Sequence, residues 1–342
     1  MTNQTDGSIR LAAMAHLDRL TKPVGALGRL EDLAVQICVA HNTLNPKITR
    51  PVALVFAADH GIANAGVSAY PQAVTAQMVA NFLAGGAAIS VLAKEHGFDL
   101  RVIDAGVDAE FAPHPALIDA KIRRGTRDCR VEAAMTVEEC QQSLVAGKRI
   151  SEALAIGGTN TMLLGEMGIG NTSASALLMH CLSTRPLGSC VGRGTGLDDA
   201  GLARKLAALR EARARAAGTL DPHTMLAEFG GYEIAMLVGA TLAAAERRLL
   251  ILVDGFTVTV AVALAARIDP SVLDACVFSH CSAEPGHRAL LRDLGAMPLL
   301  DLGMRLGEGS GAALALPLAR SAVAVFHRMA TFDAAGVSRS NA

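Results

Sequence analysis

The stretch VALVFAADHG, Val52–Gly61, is seven apolar residues running without a break into Asp59, His60 and Gly61. A half-exposed strand alternates apolar and polar residues, whereas an unbroken run suits a strand covered on both faces, as in a parallel sheet. Similar runs recur along the chain: Leu100–Val107, Ala153–Gly158, Leu249–Gly255, Ala275–His280 and Pro298–Gly303. Helical patterns fill most of the gaps, at Thr75–Lys94, Val137–Ile150, Asn171–Cys181, Leu202–Ala217, Tyr232–Arg247, Thr257–Arg267 and Pro285–Asp293. This alternation predicts an α/β fold, a parallel sheet flanked by helices. Ligands in such folds sit beyond the carboxyl ends of the strands. The polar residues closing the runs, Asp59, His60, Asp104, Asp254, Ser279, His280 and Asp301, are therefore expected on one rim, some of them only to cap helices or close turns.

Composition agrees with a large buried core. The 342 residues are 51% hydrophobic and 18% charged, with 3% aromatic and no Trp. A net charge of −1 gives no basic field for nucleic acid. The seven cysteines form no CxxC pair, which argues against a disulfide framework or a zinc knuckle. The longest apolar region, LLILVDGFTVTVAVALAA, is interrupted by Asp254 and Gly255 and reads as a buried strand entering a buried helix, not a membrane span. The N-terminal segment lacks an apolar signal stretch, so a reduced, cytoplasmic protein is expected. Helical segments at Ser8–His41 and Ser310–Arg328 flank the sheet region and could pair into a small second domain.

Four stretches can carry chemistry. GEMGIGNTSASAL, Gly165–Leu177, sets glycines before a helix start, where exposed N–H groups favour an anion. It is neither a P-loop nor the dinucleotide fingerprint, and a plain capped turn is the competing reading. VGRGTGLDD, Val191–Asp199, adds a second glycine-rich loop, with Arg193 or Lys205 within possible reach of a phosphate. FSHCSAEPGHRALL, Phe278–Leu291, gathers Ser279, His280, Ser282, Glu284 and His287, but its His and Cys spacing fits no usual zinc set and no GxSxG elbow occurs. In RLGEGSGAAL, Arg305–Leu314, Glu308 stands among three glycines ahead of a helix. It either complements the helix dipole or serves as a base in a pocket floor.

Taken in order, KPVGALGRLEDLA, FAADHGIANAGVSAYPQAVTAQMV, GEMGIGNTSASAL, VGRGTGLDD, GGYEIAMLVGA, LVDGFTVTVAVALAA, SHCSAEPGH and LDLGMRLGEGSGAALALPL resemble the nicotinate-nucleotide–dimethylbenzimidazole phosphoribosyltransferases of cobalamin biosynthesis. The resemblance covers Leu17 to Phe326. It implies transfer of the phosphoribosyl group of nicotinate mononucleotide to dimethylbenzimidazole, with inversion and without a cofactor or metal. It implies a homodimer whose Rossmann-like large domain spans 50–305 and whose small helical domain joins 8–49 and 306–330. Glu308 matches the family's general base and Glu166 a second acid. Gly168, Gly170, Asn171 and Thr172, with Lys205 and Ser282, match groups near the nucleotide phosphate. Tyr70, Pro71 and Gln77 fall in the base-binding loop and helix. Two other classes compete: a nucleotide-binding protein without catalysis, and a metal-dependent hydrolase using Asp59, His60 and His280.

Overall fold

The computed structural model describes residues 3–338. Two helices, α1 (Asn3–Leu17) and α2 (Arg29–Ala40), precede the first strand, β1 (Val52–Ala58). Then follow α3 (Val74–Ala84), α4 (Ala88–His96), β2 (Asp99–Gly106), β3 (Leu117–Asp119), α5 (Val137–Ile156) and β4 (Thr161–Met167). The next helices are α6 (Asn171–Leu182), α7 (Leu187–Cys190), α8 (Asp199–Arg215), α9 (Pro222–Phe229) and α10 (Tyr232–Glu246). The chain closes with β5 (Leu250–Val253), α11 (Phe256–Ile268), β6 (Cys276–Phe278), α12 (Pro285–Asp293), α13 (Ser310–Arg328) and α14 (Phe332–Ala335).

The strands form one parallel sheet in the order β3-β2-β1-β4-β5-β6. That order reverses direction between β1 and β4, which opens a crevice at their carboxyl ends. All seven residues of β1 are buried, and the strand period divides them between two cores. Val52, Leu54, Phe56 and Ala58 join one apolar cluster with α6, α10 and α11. Ala53, Val55 and Ala57 join the other, with residues of α2, α3, α4 and α13. Small residues allow the close layers: a Cβ on Gly147 of α5 would lie 1.9 Å from the Met236 carbonyl oxygen of α10.

The run Ala153–Gly158 is not a strand. It ends α5, whose capping box at Thr136 and Glu139 starts a longer helix than the apolar run suggests. The strand of that region is β4, eight residues later than Ala153. Pro298–Gly303 is likewise no strand of the sheet, although Leu299 and Leu300 donate to Phe278 and Ser279 and extend the β6 edge. The helix expected at Thr75–Lys94 divides into α3 and α4, because Gly85 turns left-handed at φ 82°. Helix α13 is long and apolar enough to cross a membrane, but it packs on α2, α4, β4 and β5.

Candidate active site

The reversal point puts the ends of β1 and β4 side by side. Strand β4 delivers Glu166, after which Gly168–Gly170 turn into α6. Glycine is needed here: a Cβ on Gly168 would lie 2.5 Å from the Ala58 carbonyl, and Gly170 has φ 99°. No side chain caps the start of α6; the Asn171 and Ser173 amides turn back to the Gly168 and Gly170 carbonyls, and the positive end of the helix favours an anion in front of them.

The turn before α13 folds onto the same place. Gly307, Glu308 and Gly309 all have positive φ, at 82°, 65° and 85°. A glutamate in that region is uncommon and holds strain that the surroundings must impose. Asp254, at the end of β5, imposes it. Its carboxylate accepts N–H bonds from Gly309 (3.0 Å), Gly311 (2.7 Å) and Ala312 (3.3 Å), capping α13. The Glu308 amide donates to the Glu166 carbonyl at 3.3 Å. A Cβ on Gly165 would lie 2.5 Å from the Gly309 nitrogen, and one on Gly307 the same distance from Glu166 Oε1. The glycines let two carboxylate-bearing segments meet.

Both acids hold their protons above the usual carboxylate range. Burial raises Glu308 to about 7, helped by Asp254 and opposed by the Ile89 amide. Its Oε2 is buried without a hydrogen-bond partner. Burial also raises Glu166 to about 8; Asp254 adds to this, the Asn171 side-chain amide opposes it, and Glu233 and Glu308 add smaller repulsions. Asn171 donates directly to Glu166 Oε2.

The cationic end of the cleft lies on α8. Lys205 is fully buried, and its Nζ donates to Thr172 Oγ1 at 2.9 Å and to the Gly192 carbonyl at 3.2 Å. Burial lowers it to about 8 against the pull of Glu284. Glu284 is raised by burial, while Lys205, the Gly194 amide and Arg305 lower it. Arg305 donates to the Gly194 carbonyl at 2.9 Å. Ser282 is held from behind: its N–H donates to His287 Nδ1 at 2.8 Å, so the neutral ring carries its proton on Nε2, 2.9 Å from Thr259 Oγ1. Burial pushes His287 down to about 3, which keeps the ring neutral. The resulting cleft, about 600 Å³ counting its open mouth, is walled by Glu166, Gly168, Asn171, Thr172, Ser282 and Arg305 among others.

Of the residues picked from the sequence, Glu166, Gly168, Asn171, Thr172 and Ser282 line this cleft, and Gly170 and Lys205 support its wall. Glu308 adjoins Glu166 but reaches toward Ile89 at the start of α4. Tyr70, Pro71 and Gln77 are exposed, on the loop before α3 and its first turns. Their loop is tied to the cleft rim by Ser68 Oγ, 3.2 Å from Thr195 Oγ1. Asp254, expected on the strand-end rim, and Glu284, from the Phe278–Leu291 stretch, both stand at the site, whereas no local signal announced Arg305, whose partner Gly194 lies far away in the chain.

The metal reading lacks a constellation. His60 Nε2 lies 2.5 Å from Glu233 Oε1, both buried. Asp59 accepts the Asp108 amide at 2.8 Å, and His280 faces Asp254 at 3.5 Å. Asp198 caps α8, and Asp199 pairs with Arg193. Among the described residues, no three His, Cys, Asp or Glu side chains gather into a metal-binding group.

A family model described as phosphoribosyltransferase matches residues 2–337. The nicotinate-nucleotide–dimethylbenzimidazole phosphoribosyltransferase of Dechloromonas aromatica (strain RCB) is 55% identical over 336 residues, 97% of each chain. The one from Parabacteroides distasonis is 46% identical over 335 residues, covering 98% of this chain and 97% of that one. The crystal structure of CobT from Thermus thermophilus superposes with a TM-score of 0.94 at 43% identity, covering 97% of this chain and 100% of that one. With its parallel sheet, its glycine-rich helix start and these full-length matches, the chain belongs to the nicotinate-nucleotide–dimethylbenzimidazole phosphoribosyltransferase family.

Proposed function

We propose that the chain transfers the phosphoribosyl group of nicotinate mononucleotide to dimethylbenzimidazole, releasing nicotinate and α-ribazole 5′-phosphate. The observation that carries the reading is Glu308, buried among glycines, held near pKa 7 and with one oxygen unpartnered. The nucleotide phosphate rests on Gly168, Gly170, Asn171 and Thr172, with Lys205 and Ser282 beside it. Tyr70, Pro71 and Gln77 flank the incoming base. One base nitrogen attacks C1′ while the nicotinate ring leaves as a neutral pyridine, so the leaving group needs no acid. The other base nitrogen must lose its proton, and Glu308 accepts it. Glu166, protonated below about pH 8, keeps a second negative charge away from Glu308 and orients Asn171. Passage from the β to the α configuration requires one inversion and no covalent enzyme intermediate. No diphosphate departs, so the chemistry calls for no divalent metal.

Residues 8–49 and 306–330 would form a helical unit drawn from both chain ends, beside a large domain at 50–305. The packing of α1 on α2 and of α2 on α13 supports that division. We also infer a homodimer working in the cytoplasm; the seven cysteines, all unpaired, suit a reducing compartment.

The test is chromatographic. The protein is incubated with nicotinate mononucleotide and dimethylbenzimidazole in the presence of a chelator. Nicotinate and a new riboside phosphate in equal amounts are expected. Nicotinate alone would make water the acceptor, and loss of turnover with chelator would restore the metal reading.

A further inference from the structure

We propose that Thr75 is a positioning residue that couples the base side of the cleft to the nucleotide loop through its hydroxyl. This rests on the substrate placement proposed above.

The Gly168–Gly170 turn leads into the helix start placed against the phosphate, yet two of its three residues have no side chain to anchor it. Below it lies the His60–Glu233 pair, within 3.4 Å of where a Cβ on Gly168 would stand. From the side, the Ile169 N–H donates to Thr75 Oγ1 at 3.1 Å. Thr75 is fully buried in the first turn of α3, between Pro71 and Gln77. Its own N–H donates to the Gln72 carbonyl at 3.0 Å, and that of Val74 to Pro71 at 3.1 Å. The Tyr70–Pro71 turn and the helix start are therefore one rigid piece.

A hydroxyl has a single proton to give. Thr75 accepts from Ile169, and its hydroxyl lies beside Asp59, whose raised carboxyl it helps to lower. Asp59 is in turn fixed by the Asp108 amide at 2.8 Å. Fully buried in the first turn of α3, the hydroxyl has little room to follow a displaced loop. A small shift of α3 misdirects its bond to Ile169, since hydrogen bonds weaken steeply with angle. A base that settles the start of α3 thereby settles the amide turn that holds the phosphate, and the reverse holds by linkage.

The experiment compares wild type, Thr75→Ser and Thr75→Val. The base KM is measured at saturating and at low nicotinate mononucleotide. Wild type and Thr75→Ser should show a several-fold change in base KM between the two conditions. In Thr75→Val that ratio should fall to about 1, with nucleotide KM raised roughly tenfold, the size of one net hydrogen bond, and kcat largely kept. A role in stability alone would lower the melting temperature of Thr75→Val and leave the ratio intact, which overturns the proposal. So does a wild-type ratio of 1. Should Thr75→Val not fold, amide exchange in the wild-type chain replaces it: dimethylbenzimidazole alone should slow exchange at Ile169, and unchanged exchange overturns the coupling. Wild type that makes no riboside phosphate would sink the proposed reaction itself, whereas turnover without coupling sinks only the role of Thr75.

Discussion

Glu308 is held above the usual carboxylate range by its own fold, and stability and activity then depend on the same proton. Its pKa is raised to about 7 by burial and by Asp254. Between about pH 4.5 and 7 the folded chain keeps a proton there that the unfolded chain has released, so this group's contribution to stability falls as pH rises through that window. Glu308→Gln removes the ionisation. The variant should be more stable than wild type at pH 8, by about 3 kcal/mol from the linkage relation, with the gain vanishing near pH 4.5. Thermal melts at the two pH values check this. Turnover of the same variant should fall at least about a hundredfold, the usual worth of a general base, with nucleotide KM little changed. Lys205 sets the alkaline side. With its pKa lowered to about 8 by burial, it loses its charge above that pH in the free enzyme. A profile of kcat/KM for the nucleotide should rise through about 7 and fall through about 8. The falling limb of kcat alone should lie higher, because bound phosphate holds the proton on Lys205.

Between elements, what matters is how closely backbones approach. A Cβ at Gly165 of β4 would meet the Gly309 nitrogen at 2.5 Å and the Glu308 carbonyl carbon at 2.6 Å. These are backbone atoms pinned by Asp254, so they cannot rotate aside. Gly165→Ala should cost about 1–3 kcal/mol, the range for overpacking a filled site, and lower kcat at least tenfold by displacing the Glu308 turn. Gly188→Ala, whose nearest neighbour would be Leu206 Cδ2 at 3.9 Å, should change neither melting temperature nor kcat. Element boundaries also show what sequence can convey. The runs at β1, β5 and β6 were legible because every residue of those strands is buried, and the β2 run because it is buried from Val102 onward. Ala153–Gly158 misled because an apolar helix end and a buried strand look alike over six residues. Strand β4 hid behind Thr161 and Gly165, and β3, three residues at the sheet edge with no buried position, left no apolar signature.

For the molecule as a whole, strand alternation made the α/β class readable, but the order β3-β2-β1-β4-β5-β6 was not, since it depends on contacts between distant segments. The site divides the same way. Glycines before a helix flagged Gly168–Thr172 locally, whereas Glu308, Glu166 and Lys205 became a set only through resemblance across nearly the whole chain. Arg305, and the capping of α13 by Asp254, needed the fold, because the groups they bind lie on other elements. The last expectation concerns the surface. Val24, Met297, Leu302 and Leu306 are 74%, 61%, 58% and 58% exposed. They sit on two segments that Arg29 joins by donating to the Met297 carbonyl at 2.6 Å. Large apolar side chains gathered on neighbouring segments mark an interaction surface more often than a free one. If a second copy covers them, sedimentation velocity at micromolar concentration should give twice 35.3 kDa. Leu302→Glu, which places a charge where burial would be costly, should then shift the distribution to monomer while leaving the melting profile of the single chain cooperative. A wild type that sediments as a monomer at every concentration would instead leave these side chains to some other partner and remove the dimer from the proposed function.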